Sequence, residues 1–115
     1  MPSTKIHYYT LPNGNNPFSE FLDSLDYKQQ TKILRLIFQI KEYGLISILP
    51  HTKKLSGTPF WEIRILGKDN LRVIYIIQLK DEVIILHGFV KKSQKTSSKE
   101  INIAFKRFQD WKSNH

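Results

Sequence analysis

Between Phe60 and Lys91 the chain offers three runs of strand-forming residues and almost nothing between them. The runs are Phe60–Leu66, Leu71–Leu79 and Glu82–Lys91, parted only by Gly67-Lys68-Asp69-Asn70 and by Lys80-Asp81. Turns that short join successive strands as hairpins, so the sequence predicts an antiparallel meander.

The flanking elements follow from local signals. Lys5-Ile6-His7-Tyr8-Tyr9 alternates weakly and predicts a short first strand. Leu11–Asn15 is turn chemistry, and Asn16-Pro17 reads as an N-cap followed by Pro at the first helical position. Phe18, Phe21, Leu22 and Leu25 then share one helical face. Asp26 is placed to cap a second helix, whose apolar set is Ile33, Leu34, Leu36, Ile37, Phe38 and Ile40. A stripe that wide predicts cover on two sides. Gly44 ends the helix in the left-handed position, and residues 45–59, with Pro50, Gly57 and Pro59, read as a loop. Ser97 and Glu100 form an S-x-x-E capping box before Ile101, Ala104, Phe105, Phe108 and Trp111 at helical spacing. That last helix has one apolar face, to lie on the sheet or meet a partner. The order predicts an α+β fold: an N-terminal strand and helical hairpin packed on a small, mainly antiparallel sheet, with a C-terminal helix. A length of 115 residues suits one domain spanning residues 1–115, and 40% apolar residues are enough to bury a core.

Charge is the first functional signal. The chain carries 18 Lys and Arg against 10 Asp and Glu, a formal net charge of +8. Residues 1–50 hold five basic groups and four acids, whereas residues 51–115 hold 13 and six. Such an excess suits a polyanionic partner, through phosphate neutralisation and counterion release. With no cysteine, thiolate nucleophiles, disulfides and cysteine-ligated metals are excluded. The four histidines are scattered without H-x-x-x-H spacing, so no metal site and no cofactor is expected. Neither a phosphate-cradling glycine loop nor a serine nucleophile elbow is present. The first residues precede no long apolar run, and the expectation is a cytoplasmic protein without a membrane span.

Strand alternation sorts the candidate site residues. Trp61, Ile63 and Ile65 share one face of their strand, and Glu62 and Arg64 share the other. Arg72 stands on the face opposite Leu71, Val73 and Tyr75, and adjacent strands can bring Arg64 and Arg72 together. Each candidate has two readings. Glu62 and Arg64 form either an exposed ion pair or part of a site. Arg72, set between apolar neighbours, needs an acceptor, structural or substrate-borne. Lys53 and Lys54 are either solvated loop residues or phosphate contacts. The run Lys91-Lys92-Ser93-Gln94-Lys95 is either a strand end or an anion-binding segment ahead of a helix N-terminus. His87 is either packed and hydrogen-bonded or catalytic. Cations with one carboxylate match RNA cleavage through the substrate's own 2′-OH, where the protein supplies alignment, charge stabilisation and proton transfer. Ordinary Lys and Arg hold their protons too tightly to act as the base, which leaves Glu62 or His87.

At these residues the sequence resembles the RelE/HigB superfamily of toxins, in particular its phage-derived branch. Lys53-Lys54-Leu55-Ser56-Gly57-Thr58-Pro59-Phe60-Trp61-Glu62-Ile63-Arg64 resembles the signature K-x-L-x-G-x-x-x-W-E-[LI]-R. Leu71-Arg72-Val73-Ile74-Tyr75 resembles its R-[VI]-[FIL]-Y strand. The segment Leu86–Thr96 resembles L-H-[GA]-F-x-K-K-[TS]-x-K-T, and Glu100-Ile101-x-x-Ala104 continues the terminal helix motif. The resemblance covers roughly residues 50–108 by motif. It implies a RelE-like fold and a metal-independent messenger-RNA endoribonuclease, usually acting on the translating ribosome and inhibiting translation. It also implies a cognate antitoxin, typically a helix-turn-helix DNA-binding protein. By position, Arg72 matches the arginine that contacts the scissile phosphate. Arg64 stands where relatives place a basic active-site residue, and Lys91 and Lys92 match the basic pair ending the last strand. With Glu62 and His87 these make the catalytic candidates; Lys53, Lys54 and Lys95 are the RNA-binding candidates. RelE relatives also place a Tyr near the start of the terminal helix, where this chain has Ser97, Ser98 and Lys99. The related ParE branch, which inhibits DNA gyrase without cutting nucleic acid, is the alternative. A basic nucleic-acid-binding module without catalysis is the third reading.

Overall fold

The computed structural model describes residues 4–65, 67, 70–79, 81–92 and 94–115. Its elements are β1 (Lys5–Tyr8), α1 (Pro17–Asp23), α2 (Tyr27–Tyr43), a 3-10 helix η1 (Leu45–His51), β2 (Thr52–Lys54), β3 (Phe60–Ile65), β4 (Leu71–Ile77), β5 (Glu82–Val90) and α3 (Ser98–Asn114). The strands form one sheet in the order β1-β5-β4-β3-β2, antiparallel throughout except that β1 runs parallel to β5. The expected α+β architecture is the one observed.

Local chemistry fixes the helical hairpin. The Asn16 side chain accepts from the Phe18 and Ser19 N–H groups, both at 3.1 Å, and Pro17 occupies the first turn of α1. Asp26 accepts from the Gln29 N–H at 2.8 Å, while the Gln29 side chain accepts from the Asp26 N–H at 2.9 Å, a reciprocal cap for α2. Gly44 ends α2 at φ 85 but ψ 172, a positive φ with extended ψ rather than the left-handed helical pair expected. The stretch expected as loop, residues 45–59, instead holds η1 and the edge strand β2. β2 is three residues long and polar, so it carries no alternation to reveal it. Pairing with β3 defines it, with Lys53 opposite Glu62.

Two apolar layers sandwich the sheet. Ile63, Ile65, Val73, Tyr75, Val83 and Ile85 pack against Phe18, Ile33, Ile37, Ile40 and Ile48 of the helical hairpin and η1. On the other face, Phe60, Ile74, Ile76, Ile84 and Leu86 pack against Ile101, Ala104, Phe105 and Phe108 of α3. The apolar face of α3 thus lies on the sheet. The stripe of α2 is covered on one side only: Ile33, Ile37 and Ile40 are buried, whereas Leu34 and Phe38 face outward. Ser97 is the N-cap of α3, but its side chain makes no capping bond, and the Glu100 carboxylate reaches His87 instead. The expected capping box is therefore absent. Strands β4 and β5 end at Ile77 and Val90, two residues and one residue short of expectation, and β3 is described as far as Ile65. Leu66, Lys68, Asp69, Lys80 and Ser93, within the expected strand end, turns and basic run, lie outside the described residues.

One irregularity sets the faces of β5. Ile74 pairs with His87 and Tyr75 with Ile85, so Leu86 is an extra residue, a bulge. The bulge shifts the alternation, and Leu86, His87 and Phe89 all serve the α3 face. Gly88, opposite Val73, faces the hairpin, where a Cβ would overlap the Phe21 ring. An alanine there requires the Phe21 ring to shift.

Candidate functional site

The meander register places Arg64 directly opposite Arg72 on the α3 face of the sheet. Like charges opposite each other repel. An anion between them would relieve that repulsion. Beyond β5 the chain turns past the same corner, held there by the Lys91 N–H donating to the Asn70 carbonyl at 2.8 Å. Asn70 adopts a left-handed backbone at φ 52, which asparagine tolerates well. The result is an open cleft of about 770 Å³ lined by Arg64, Asn70, Arg72, Lys91, Lys92 and Gln94. Four of those six side chains are cationic, and none is acidic.

Arg72 is the exceptional member, only 8% exposed. One guanidinium nitrogen donates to the Leu71 carbonyl at 2.9 Å. Nε lies 3.6 Å from Glu62 Oε1, an ion pair too long for a hydrogen bond, and is buried with no hydrogen-bond partner. Burial pushes the Arg72 pKa down; Glu62 opposes that shift and Arg64 adds to it. A guanidinium so held is desolvated in advance and presents its charge through little water.

Glu62 is 1% exposed, so the exposed Glu62–Arg64 pair considered from the sequence does not form. Arg64 is exposed, and Glu62 turns inward to Arg72. Its other oxygen, Oε2, accepts from the Thr96 hydroxyl. Both carboxylate oxygens are thereby engaged, one by a strand and one by the segment leading into α3. A second cleft of about 260 Å³ lies against this carboxylate and is lined by Lys53, Lys54, Lys91, Lys95 and Thr96, among others. A third, of about 230 Å³, is lined in part by Phe89, Lys91, Lys92, Lys95 and Lys99. Lys91 lines all three, so the clefts form one basic tract.

His87 lines none of these clefts. It lies beneath α3, with Nε2 2.7 Å from Glu100 Oε1 and Nδ1 3.2 Å from an Arg107 guanidinium nitrogen. A guanidinium only donates, so Nδ1 accepts and Nε2 carries the proton that Glu100 receives. The ring is the neutral tautomer. Burial lowers its pKa, the Glu100 bond opposes that, and Arg107 adds to the lowering. Arg107 also donates to the Leu86 carbonyl at 2.9 Å and stands 5.8 Å over the Tyr9 ring, whose hydroxyl donates to Asp110. The network joins α3 to the bulge in β5.

The structure therefore brings Arg64, Arg72, Lys91 and Lys92 together, sets Lys53, Lys54, Glu62 and Lys95 beside them, and leaves His87 apart. Asn70, Gln94 and Thr96 were missed by sequence reasoning. Short polar residues at turns carry no periodic signal, although Thr96 falls in the K-x-K-T motif. Among the described residues, no three His, Asp or Glu side chains converge as metal ligands. No helix among the described residues is long and apolar enough to cross a membrane. Chemically, the arrangement suits holding a phosphodiester and stabilising added negative charge on it.

No curated protein matches the chain. The family model of phage-derived Gp49-like proteins, a domain of unknown function (DUF891), matches residues 20–109. That span includes every cleft residue named above. The chain belongs to this Gp49-like family, which is associated with toxin–antitoxin toxins of the RelE/HigB type.

Proposed function

We propose that the chain is the toxin of a type II toxin–antitoxin pair and cuts messenger RNA on the translating ribosome, in the cytoplasm. The observation that carries the reading is Arg72, a nearly buried guanidinium with an unsatisfied Nε at the floor of a cleft otherwise edged by Arg64, Lys91 and Lys92. A surface that only blocked a protein would not need a desolvated cation beneath exposed ones.

In this reading the RNA supplies its own nucleophile. The 2′-OH attacks the neighbouring phosphorus, a 2′-O–P bond forms and the P–O5′ bond breaks. The products are a 2′,3′-cyclic phosphate and a 5′-OH; the 2′-OH proton passes to solvent water and O5′ takes one from water, so the net change is one proton moved from O2′ to O5′. Arg72 and Arg64 oppose the charge that builds on the non-bridging oxygens, and Lys91 and Lys92 fix the phosphate between them. Glu62 orients Arg72 rather than taking the 2′-OH proton, because both its oxygens are held inside the protein. Lys53, Lys54 and Lys95 hold the flanking backbone. A cognate antitoxin, in the helix-turn-helix class by resemblance, keeps the activity in check.

Mapping RNA ends in cells after induction tests this. Wild type is expected to arrest growth and create new internal messenger ends; Arg72→Ala, destabilised by the Glu62 carboxylate it strands but still folded by circular dichroism, is expected to lose both. Growth arrest with intact transcripts would contradict cleavage and favour a gyrase-directed or purely binding toxin.

A further inference from the structure

A buried guanidinium nitrogen without a partner is unfavourable, and Arg72 Nε is one although a carboxylate lies beside it. Glu62 pairs with Ile74 across β3 and β4, which makes Arg72 its diagonal neighbour on the same face. Glu62 Oε1 stops 3.6 Å from Nε, and a shift of under about 1 Å would close a charge-assisted hydrogen bond. Both side chains are nearly buried, so bulk solvent gives little compensation for the open contact.

The carboxylate is held back by its other oxygen. Oε2 accepts from the Thr96 hydroxyl, and Thr96 is itself fixed on both sides. The neighbouring Ser97 carbonyl accepts from the Glu100 and Ile101 N–H groups at 3.1 and 3.2 Å, the first bonds of α3. Ile101 in turn packs on the sheet with Ala104 and Phe105. At the far end of the segment, the Lys91 N–H is tied to the Asn70 carbonyl. Threonine is also β-branched, with few side-chain rotamers, so its hydroxyl keeps one direction.

We propose that Thr96 is a positioning residue, whose hydroxyl holds Glu62 just short of Arg72 so that the guanidinium is steadied without being paired. Without that hold, Glu62 closes on Nε, and the Arg72 charge is compensated inside the protein rather than by an anion in the cleft. A threonine with only a structural role would, when removed, loosen Glu62 and leave Arg72 no better paired. The consequence for cleavage rests on the nuclease reading above; the placing of Glu62 does not.

The test compares Thr96→Val, close in volume but without the hydroxyl, with Thr96→Ser, which retains it. In a heteronuclear spectrum of the full chain, the Arg72 Nε–H signal is assigned by its loss in Arg72→Ala. In Thr96→Val that signal is expected to move downfield and exchange more slowly with solvent, as a new hydrogen bond requires. Single-turnover cleavage on ribosomes carrying a defined messenger should fall at least about tenfold at saturating Thr96→Val, the effect of one charged hydrogen bond. The half-saturating concentration should change by less than about twofold. Thr96→Ser should recover both readings, and in an Arg72→Ala background the valine should add no further loss. Circular dichroism melts verify folding, and Thr96→Ala is the second variant should the valine crowd Glu62. An Arg72 signal that stays put or exchanges faster, a serine variant as slow as the valine one, or a loss that persists behind Arg72→Ala would each overturn the proposal. So would weaker half-saturation in place of a slower step. If wild type leaves the messenger intact, the nuclease reading fails, and the Arg72 signal alone then decides whether Thr96 holds Glu62 back.

Discussion

Glu62 shows what a single buried side chain does here. Its carboxylate joins β3 to Arg72 of β4 on one side and to Thr96 on the other, and almost no water reaches it. Removing it strands the Arg72 charge in a low-dielectric pocket, and Glu62→Ala is expected to cost about 3 kcal/mol of stability. Glu62→Gln keeps an acceptor for Thr96 and should cost less. Urea titrations of both variants measure this, and an alanine variant as stable as wild type would show that the pair carries no weight. Gly88 is a steric counterpart. A Cβ there would meet the Phe21 ring, so Gly88→Ala should destabilise by roughly 1–3 kcal/mol through overpacking. The penalty should shrink in a Phe21→Leu background, because the two sites share one volume. An undiminished penalty would place the strain elsewhere.

At the scale of elements, the His87 network makes the seating of α3 on β5 sensitive to pH. Burial holds the imidazole below its ordinary value of 6.5, so the folded protein keeps it neutral where the unfolded chain protonates it. The unfolded state then binds more protons, and stability should fall from about pH 7.5 to about pH 5.5. His87→Gln can donate to Glu100 and accept from Arg107 without titrating, so denaturation measured across that range should show a flatter slope. An unchanged slope would remove His87 as its source. His87 also marks how far the sequence was legible. The hairpins, the Asn16 and Asp26 caps and the shared sheet face of Arg64 and Arg72 follow from turn length, N-cap chemistry and alternation, whereas the register that sets the two arginines opposite each other does not. The face of His87 does not, because Val83–Leu86 is apolar throughout and hides the bulge that shifts the phase. β2 was unreadable for a related reason, being a polar edge strand defined by its partner. The breadth of the α2 stripe was visible, but its composition is the same whether the second side meets this chain or another. The cleft cations were legible as residue types on faces. The inward turn of Glu62 and the uncapped Ser97 depend on packing, which no local pattern encodes.

At the scale of the molecule, the sheet separates two surfaces with different chemistry. On the α3 side, the strand cations and the segment after β5 make a tract without an exposed acid at its centre. On the α2 side, apolar and basic groups alternate around one helix. Eight of the 13 basic residues of 51–115 line the clefts of the first surface, in keeping with the asymmetry seen in the sequence. In the proposed function this tract cuts RNA, with Arg72 as its main stabilising charge. Incubating purified protein with ribosomes translating a defined messenger, then analysing the fragment termini, tests it most directly. Wild type should yield fragments ending in 2′,3′-cyclic phosphate and 5′-OH, and folded Arg72→Ala should cleave at least about 100-fold more slowly. An intact messenger under arrested translation, or equal cleavage by the variant, would contradict it.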